Sequence, residues 1–433
     1  MIVEIKLSTT EPNGRTFLTW TPVAATAQIT NAEGAVGEVD VTLRNGGSAN
    51  GGRVVFDKAR SDAGLSELQL RLPTNGTKVT FWVAGEFQKP SLGYGDAVIE
   101  AVAAGASVGR RELMVRVRKN AVKLTAAERD RFLLAIGKLN DAGLGPFKAF
   151  RDMHVALSAD EAHGFPAFPP WHRAYLLDLE RELQDVDDTV ALPYWRFDEP
   201  AAALFAPAFL GMPPQNPMAG DVIQFPNGHP LEFWKTDGSD PIERRPRYNI
   251  VNAPPQSVPT PTGPQPWVIS QDDTMKLGTS YADFRDLEGA PHGNAHTSFR
   301  GPISSVPTAA KDPLFFLLHA NVDRLWAFWQ WLNRRHDVNS TDSYSLAGPK
   351  RPPNDLGHKL GDTMWPWNGS RKPPRPTFPP PRGSFPPART GTLPGPHPKV
   401  ADMVDYQGVH GTESLGFDYD DVPFELNAGA IVA

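Results

Sequence analysis

The chain has 433 residues, no cysteine, and 43 Lys and Arg against 49 Asp and Glu, a net charge of −6. That length accommodates two domains and a sizeable core, and the acidic balance leaves no basic footprint for nucleic acid. Disulfides and thiol chemistry are excluded, and no stretch is apolar and long enough to span a bilayer.

Met1-Ile-Val-Glu-Ile-Lys-Leu-Ser8 alternates apolar and charged residues and lacks an apolar h-region, so it reads as a strand, not a signal peptide, and a cytoplasmic location is expected. Runs of similar texture follow at 39–43, 54–56, 68–72, 79–83, 98–102 and 113–117, separated by Gly, Asn, Asp and Pro turns. Residues 1–115 are therefore expected to form an antiparallel β-sandwich accessory domain. It contains no histidine. A structural or oligomerisation role is favoured over a cover for a metal pocket.

Beyond residue 116 the pattern turns helical, opening with Thr125 and Glu128 at capping-box spacing. Three stretches then carry the chemistry: Phe150-Arg-Asp-Met-His154, Ala162-His163-Gly-Phe-Pro-Ala-Phe-Pro-Pro-Trp-His172, and Pro291-His292-Gly-Asn-Ala-His296 followed by Asp312-Pro-Leu-Phe-Phe-Leu-Leu-His319. They hold six histidines in two groups of three. Neutral imidazoles suit copper, zinc, iron or nickel, and a set with no thiolate or carboxylate leaves coordination positions open for a small ligand. His292 and His296, four residues apart, share one helix face. Asp312 as N-cap and Pro313 at the first helical position start a helix predicted to run from Leu314 to Arg335, which places His319 inside it. Tyr175, Leu179 and Leu183 recur at helical spacing after His172, and Pro169-Pro170 predict that this helix begins close to His172.

From about residue 115 to 424 the chain resembles the tyrosinase and polyphenol oxidase family, the type-3 copper proteins. The stretch 117–132, Leu192-Pro-Tyr-Trp195 and the closing Leu415-Gly-Phe-Asp-Tyr-Asp420 add to the histidine motifs. The resemblance implies a mainly α-helical four-helix-bundle copper core at 116–433 with long loops, hence an α+β multidomain chain. It implies two copper ions, one held by His154, His163 and His172, the other by His292, His296 and His319. Family members often carry a cysteine, cross-linked to the second histidine, at the position of Glu161, and most read His-His where this chain has Leu318-His319. Glu288 matches a glutamate that holds an active-site water. Gly293 stands where many monophenol-hydroxylating members have asparagine, and Val306 stands where some have a bulky gate phenylalanine.

A phenol has a pKa near ~10, so its deprotonation benefits from a positioned base or activated water, whereas a catechol binds copper more readily. Gly293 beside Glu288 thus argues for slow monophenol hydroxylation, and Val306 for open access. The expected activity is oxidation by O2 of o-diphenols to o-quinones, with o-aminophenols as an alternative substrate and phenolic small molecules as the partners. The rival class is a haemocyanin-like reversible O2 carrier. A carrier shields its copper and recurs as repeated units, and the dozen residues after the closing motif are too few for a shielding domain; a zinc hydrolase is a distant third. The oligomeric state is left open.

The remaining histidines, His229, His336, His358, His397 and His410, are expected to be core or surface residues. Asp323, one turn after His319, is expected to orient a ligand imidazole in preference to pairing with Arg324. Trp326, Phe328, Trp329 and Trp331 are expected in the core. Fifteen prolines between Pro349 and Pro398 predict an exposed extended connection, whose Trp365, Trp367, Phe378 or Phe385 are candidates to border the pocket.

Overall fold

The computed structural model describes residues 1–60, 64–154, 159–216, 218, 220–237, 241–249, 251–348, 355–369, 393–411 and 413–424. Its contacts divide the chain into two units, one of residues 1–118, 388–393 and 406–433, the other of residues 119–387 and 394–405.

The first unit contains nine strands: β1 Ile2–Leu7, β2 Phe17–Leu18, β3 Val23–Asn31, β4 Glu38–Asn45, β5 Val54–Asp57, β6 Glu67–Pro73, β7 Val79–Gly85, β8 Ala97–Ala103 and β9 Ala106–Val115, among the described residues. One sheet has the order β1-β3-β7-β5, the other β2-β9-β8-β4-β6. Period-2 alternation sends Val3, Ile5 and Leu7 of β1, Val41 and Leu43 of β4, and Leu68, Leu70 and Leu72 of β6 into one apolar cluster. The tight β8–β9 connection needs positive φ at both Ala104 (46°) and Gly105 (79°). Residues 413–424 return to this unit, where Trp20 donates its indole N–H to the Tyr419 carbonyl at 2.8 Å and Arg118 donates to the Tyr419 hydroxyl at 2.9 Å. The expectation of a purely antiparallel sandwich is corrected in one respect: β2 pairs parallel with β9, so the larger sheet is mixed.

The second unit is helical around the histidines: α1 Ala126–Asn140, α2 Phe147–Met153, α3 Ala159–Ala162, α4 Phe168–Val186, α5 Gln271–Met275, α6 Tyr281–Phe284, α7 Asn294–Thr297, α8 Leu314–Asn333 and α9 Val400–Val404. The capping box opens α1 as expected, with the Thr125 hydroxyl accepting from Glu128 N at 3.2 Å and Glu128 accepting from Thr125 N at 2.9 Å. Buried α4 and α8 pack together, and α1 and α9 pack on α4. No four-helix bundle forms among the described residues, and that expectation is overturned. Where a fourth long helix would run, the chain breaks into α6, a 3-10 turn at Arg285–Glu288, an irregular turn at Gly289–Gly293 and α7. The break has a local cause: Ala290 precedes Pro291, is driven to extended backbone (φ −142°, ψ 122°), and has glycine on its other side.

Two helix ends also differ from the sequence reading. Helix α4 starts at Phe168, four residues before His172, because Pro169 and Pro170 lie in its first turn, where N–H groups have no intrahelical acceptor to lose. Helix α8 stops at Asn333, capped by Arg334 in the left-handed region (φ 55°). Its start is as expected in substance: extended Asp312 accepts from Leu314 N at 2.9 Å. The Asp312 carboxylate also accepts from Arg244 through both oxygens, at 2.7 and 2.9 Å from the one Nη1, with both side chains buried. Among the described residues no helix is long and apolar enough to cross a membrane.

Candidate metal centre

The six candidate histidines come from five places: His154 at the C-terminal end of α2, His163 in the turn after α3, His172 on α4, His292 and His296 across the broken turn and α7, and His319 in mid α8. They assemble into two triads, His154–His163–His172 and His292–His296–His319, with the ligand atoms of each triad within 4.8 Å of one another. The triads face each other. The His172 and His319 rings stack at 4.2 Å with 8° between their planes.

Hydrogen bonds at the far side of the rings decide which nitrogen is free. The Nδ1 atoms of His172, His292 and His296 lie 2.9, 2.7 and 2.7 Å from the carbonyls of Phe168, Glu288 and Ile303. A carbonyl only accepts, so each Nδ1 carries the proton and the Nε2 lone pair points inward. His292 Nε2 and His296 Nε2 lie 3.3 and 3.1 Å from His319 Nε2, and His154 Nε2 lies 3.2 Å from His163 Nε2. One N–H on His319 cannot serve two lone pairs at once, and His172 Nε2 has no hydrogen-bond partner at all. A bound cation would satisfy these converging lone pairs, so the donor set fits a metal in each triad.

Burial first, then the neighbouring imidazoles, pushes His163 and His319 well below their ordinary pKa. His292 and His172 shift the same way, also chiefly by burial. His154 falls to about 3 and His296 to about 4, again from burial. The rings are therefore neutral at physiological pH, as metal ligands must be.

Aromatic walls close the site. Phe168 lies 4.6 Å from His172 and 4.8 Å from His292, and Phe315 lies 4.3 Å from His319 and 4.6 Å from His154. The sequence reading missed both. The signal was present, since each phenylalanine precedes a histidine by four residues on one helix, the spacing that stacks side chains. Solvent reaches the cluster at half-buried His163 and His296, and Val306 is 41% exposed. Glu288 sits at the head of the His292 turn, and its Oε1 accepts from Gly164 N at 2.6 Å, tying that turn to the residue after His163. At Gly293 the backbone is helical, and a Cβ would meet only the Glu288 carbonyl oxygen, at 3.4 Å.

Other expectations need correction. Asp323 does not orient an imidazole; its carboxylate accepts from Arg173 Nε at 2.6 Å, and Arg173 lies 3.8 Å above the Trp326 ring. Trp326 and Trp329 are buried, but Phe328 and Trp331 only partly, on the outer face of α8. Trp365 and Trp367 are fully buried, not part of an exposed connection, with Trp367 5.9 Å from Trp171 behind the first triad. Phe378 and Phe385 lie outside the described residues.

Two facing triads of neutral imidazoles define a histidine-lined dinuclear metal centre. The family model for the common central domain of tyrosinase matches residues 145–332, which span all six histidines. A tyrosinase of Streptomyces antibioticus is 33% identical over 271 residues, covering 58% of this chain and 93% of that protein. The chain belongs to the tyrosinase family, whose cofactor is a pair of copper ions, and the two triads fit the two copper sites. A haemocyanin of Enteroctopus dofleini, A-type units Ode to Odg, is 27% identical over 252 residues, covering 53% of this chain and 19% of that protein. A solved tyrosinase from Burkholderia thailandensis, at low pH, overlaps with a TM-score of 0.42 at 18% identity, covering 72% of this chain and 77% of that one.

Proposed function

We propose that this protein is a dinuclear copper oxidase that uses O2 to oxidise o-diphenols to o-quinones and hydroxylates monophenols slowly. His154, His163 and His172 hold one copper, and His292, His296 and His319 the other. The observation that carries the reading is the convergence of the imidazole Nε2 atoms of two stacked triads at a cluster open to solvent beside Val306. When bound, the copper pair supplies the redox couple: two diphenols give up four electrons and four protons, and one O2 becomes two waters.

The chain's own residues do the rest. Neutral imidazoles with fixed Nδ1 protons present lone pairs without reorganisation. Phe168 and Phe315 keep water from the inner faces of the rings. We assign Glu288, whose carboxylate is oriented by Gly164 N–H, to holding the water that takes the phenol proton. Gly293 offers that water no second partner, which leaves monophenols slow. Val306, small and exposed, leaves room for a phenolic ring.

Oxygen uptake by the copper-loaded protein with a catechol, a monophenol and an o-aminophenol side by side tests the proposal. Continuous uptake with quinone formation, fastest for the catechol and lagging for the monophenol, is expected. Uptake that stops at one O2 per copper pair and reverses under vacuum would make the protein a carrier. Fastest turnover of the o-aminophenol would reassign the substrate.

A further inference from the structure

We infer that Glu161 is a positioning residue for His163, acting through a strap of residues 356–367 that fixes the loop bearing this histidine. The inference rests on His163 being a copper ligand, as proposed above.

His163 has little local support. Its Nδ1 finds no hydrogen-bond partner, unlike those of His172, His292 and His296. The Nδ1 atoms of His154 and His319 also have none, but His154 directly closes α2 and His319 is held in the middle of α8. His163 sits in a non-helical turn, so its backbone must be fixed from outside.

The strap supplies that fixation at several points. Glu161, two residues before His163 and only 6% exposed, accepts from Trp365 N at 3.0 Å through Oε2. The strap backbone lies directly against this carboxylate at Gly357, where an added Cβ would fall 2.1 Å from Oε2 and 2.6 Å from Cδ. Gly357 also has φ +79°, so both space and conformation select glycine. On the other side of His163, Ala167 N–H donates to His358 Nδ1 at 3.2 Å, and the Trp171 indole donates to the Trp365 carbonyl at 2.7 Å.

The strap is itself anchored. The Tyr344 hydroxyl donates to the His358 carbonyl at 2.5 Å, the Trp367 indole to Asp178 at 2.7 Å, and Asp362 accepts from Gly357 N and Lys359 N at 3.0 and 3.2 Å. A buried carboxylate accepting a backbone N–H is a directional tether. Here it joins the His163 loop to a segment about 200 residues later in the chain.

The test uses the full chain loaded with copper, and its readout is copper per chain across a chelator titration, beside the circular dichroism melt. Groups that orient a ligand typically govern metal affinity by ~10–100-fold. Glu161→Ala is expected to lose one of two coppers at about 10–100-fold less chelator and keep the other. Glu161→Gln, whose amide oxygen can still accept from Trp365 N, is expected to titrate close to wild type. Gly357→Ala leaves Glu161 in place but displaces its carboxylate, and is expected to behave like Glu161→Ala, with the double variant no worse than either. Wild-type chelator midpoints for Glu161→Ala would overturn the inference. Should that variant fail to fold, a wild-type midpoint for Gly357→Ala overturns it equally. Wild-type copper content in His163→Ala would instead mark the failure of the ligand assignment.

Discussion

His292 and His296 each send Nδ1 to a carbonyl of their own neighbourhood, Glu288 four residues back and Ile303 seven ahead. In the first triad only His172 has such a carbonyl, on Phe168, while the His163 loop is held by Glu161, Ala167 and Trp171 contacts to residues 358 and 365. The second triad is thus built from contacts near in sequence and the first partly from contacts far away. Contacts near in sequence can form with their own helix, whereas the His163 loop is held by a segment about 200 residues away.

The largest expected effect breaks the locally built triad. His319→Ala removes a ligand from mid α8 and should lower catechol-driven oxygen uptake by well over ~100-fold, more than loss of an orienting group typically costs. Uptake within a few-fold of wild type would show that α8 carries no ligand.

A second prediction concerns what holds α8 in register. Arg244→Met leaves the Asp312 carboxylate buried without its ion-pair partner, a loss that typically costs about 3–5 kcal/mol. Burial already raises the Asp312 pKa, so part of the cost is relieved by protonation and the lower end, about 3 kcal/mol, is expected in a denaturant melt. A change below about 0.5 kcal/mol, the range of an ordinary surface substitution, would refute the role of this pair.

How far the two triads could be read from sequence follows the same contrast. The i,i+4 spacing of His292 and His296 and the Asp312-Pro313 helix start were readable because helix periodicity and capping are local. The six histidines were also readable as a set. The broken turn at Ala290-Pro291 was not, because the four-helix bundle is an expectation from the resemblance and not from the residues around Pro291. The start of α4 was misplaced because two prolines were taken as breakers although the first helical turn tolerates them. The partners of Asp323, Asp178 and Glu161 lie about 150, 189 and 204 residues away, and no local pattern announces such pairs. The parallel pairing of β2 with β9 is equally non-local.

The first unit offers its own pH signature. Burial raises the Asp418 carboxyl to about 6, against the hydrogen bonds it receives from Gln407, Thr19 and Thr21. A folded pKa above the unfolded value near 3.8 means the contribution to stability is fully present below that value and is lost as pH rises through about 6. The shift corresponds to about 3 kcal/mol, so Asp418→Asn should flatten the pH dependence of unfolding between about 4 and 6. An unchanged slope in that window would contradict a protonated buried Asp418.

The smallest expected effect sharpens the reading of Glu288. Gly293 has helical backbone and room for a side chain, so Gly293→Asn should fold normally and add a partner for the water that Glu288 holds. A general-base step contributes ~10²–10⁴-fold, and a several-fold rise in the monophenol-to-diphenol ratio would be partial recovery of it. An unchanged ratio would shift attention to pocket shape around Val306.

Copper content per chain tests the central claim most directly, compared across the wild type, His172→Ala and His296→Ala, each one ligand short in a different triad. Two coppers in the wild type and one in each variant, with the other site still filled, is the predicted result. Two coppers retained in either variant, or both lost together from a folded chain, would contradict two separate three-histidine sites.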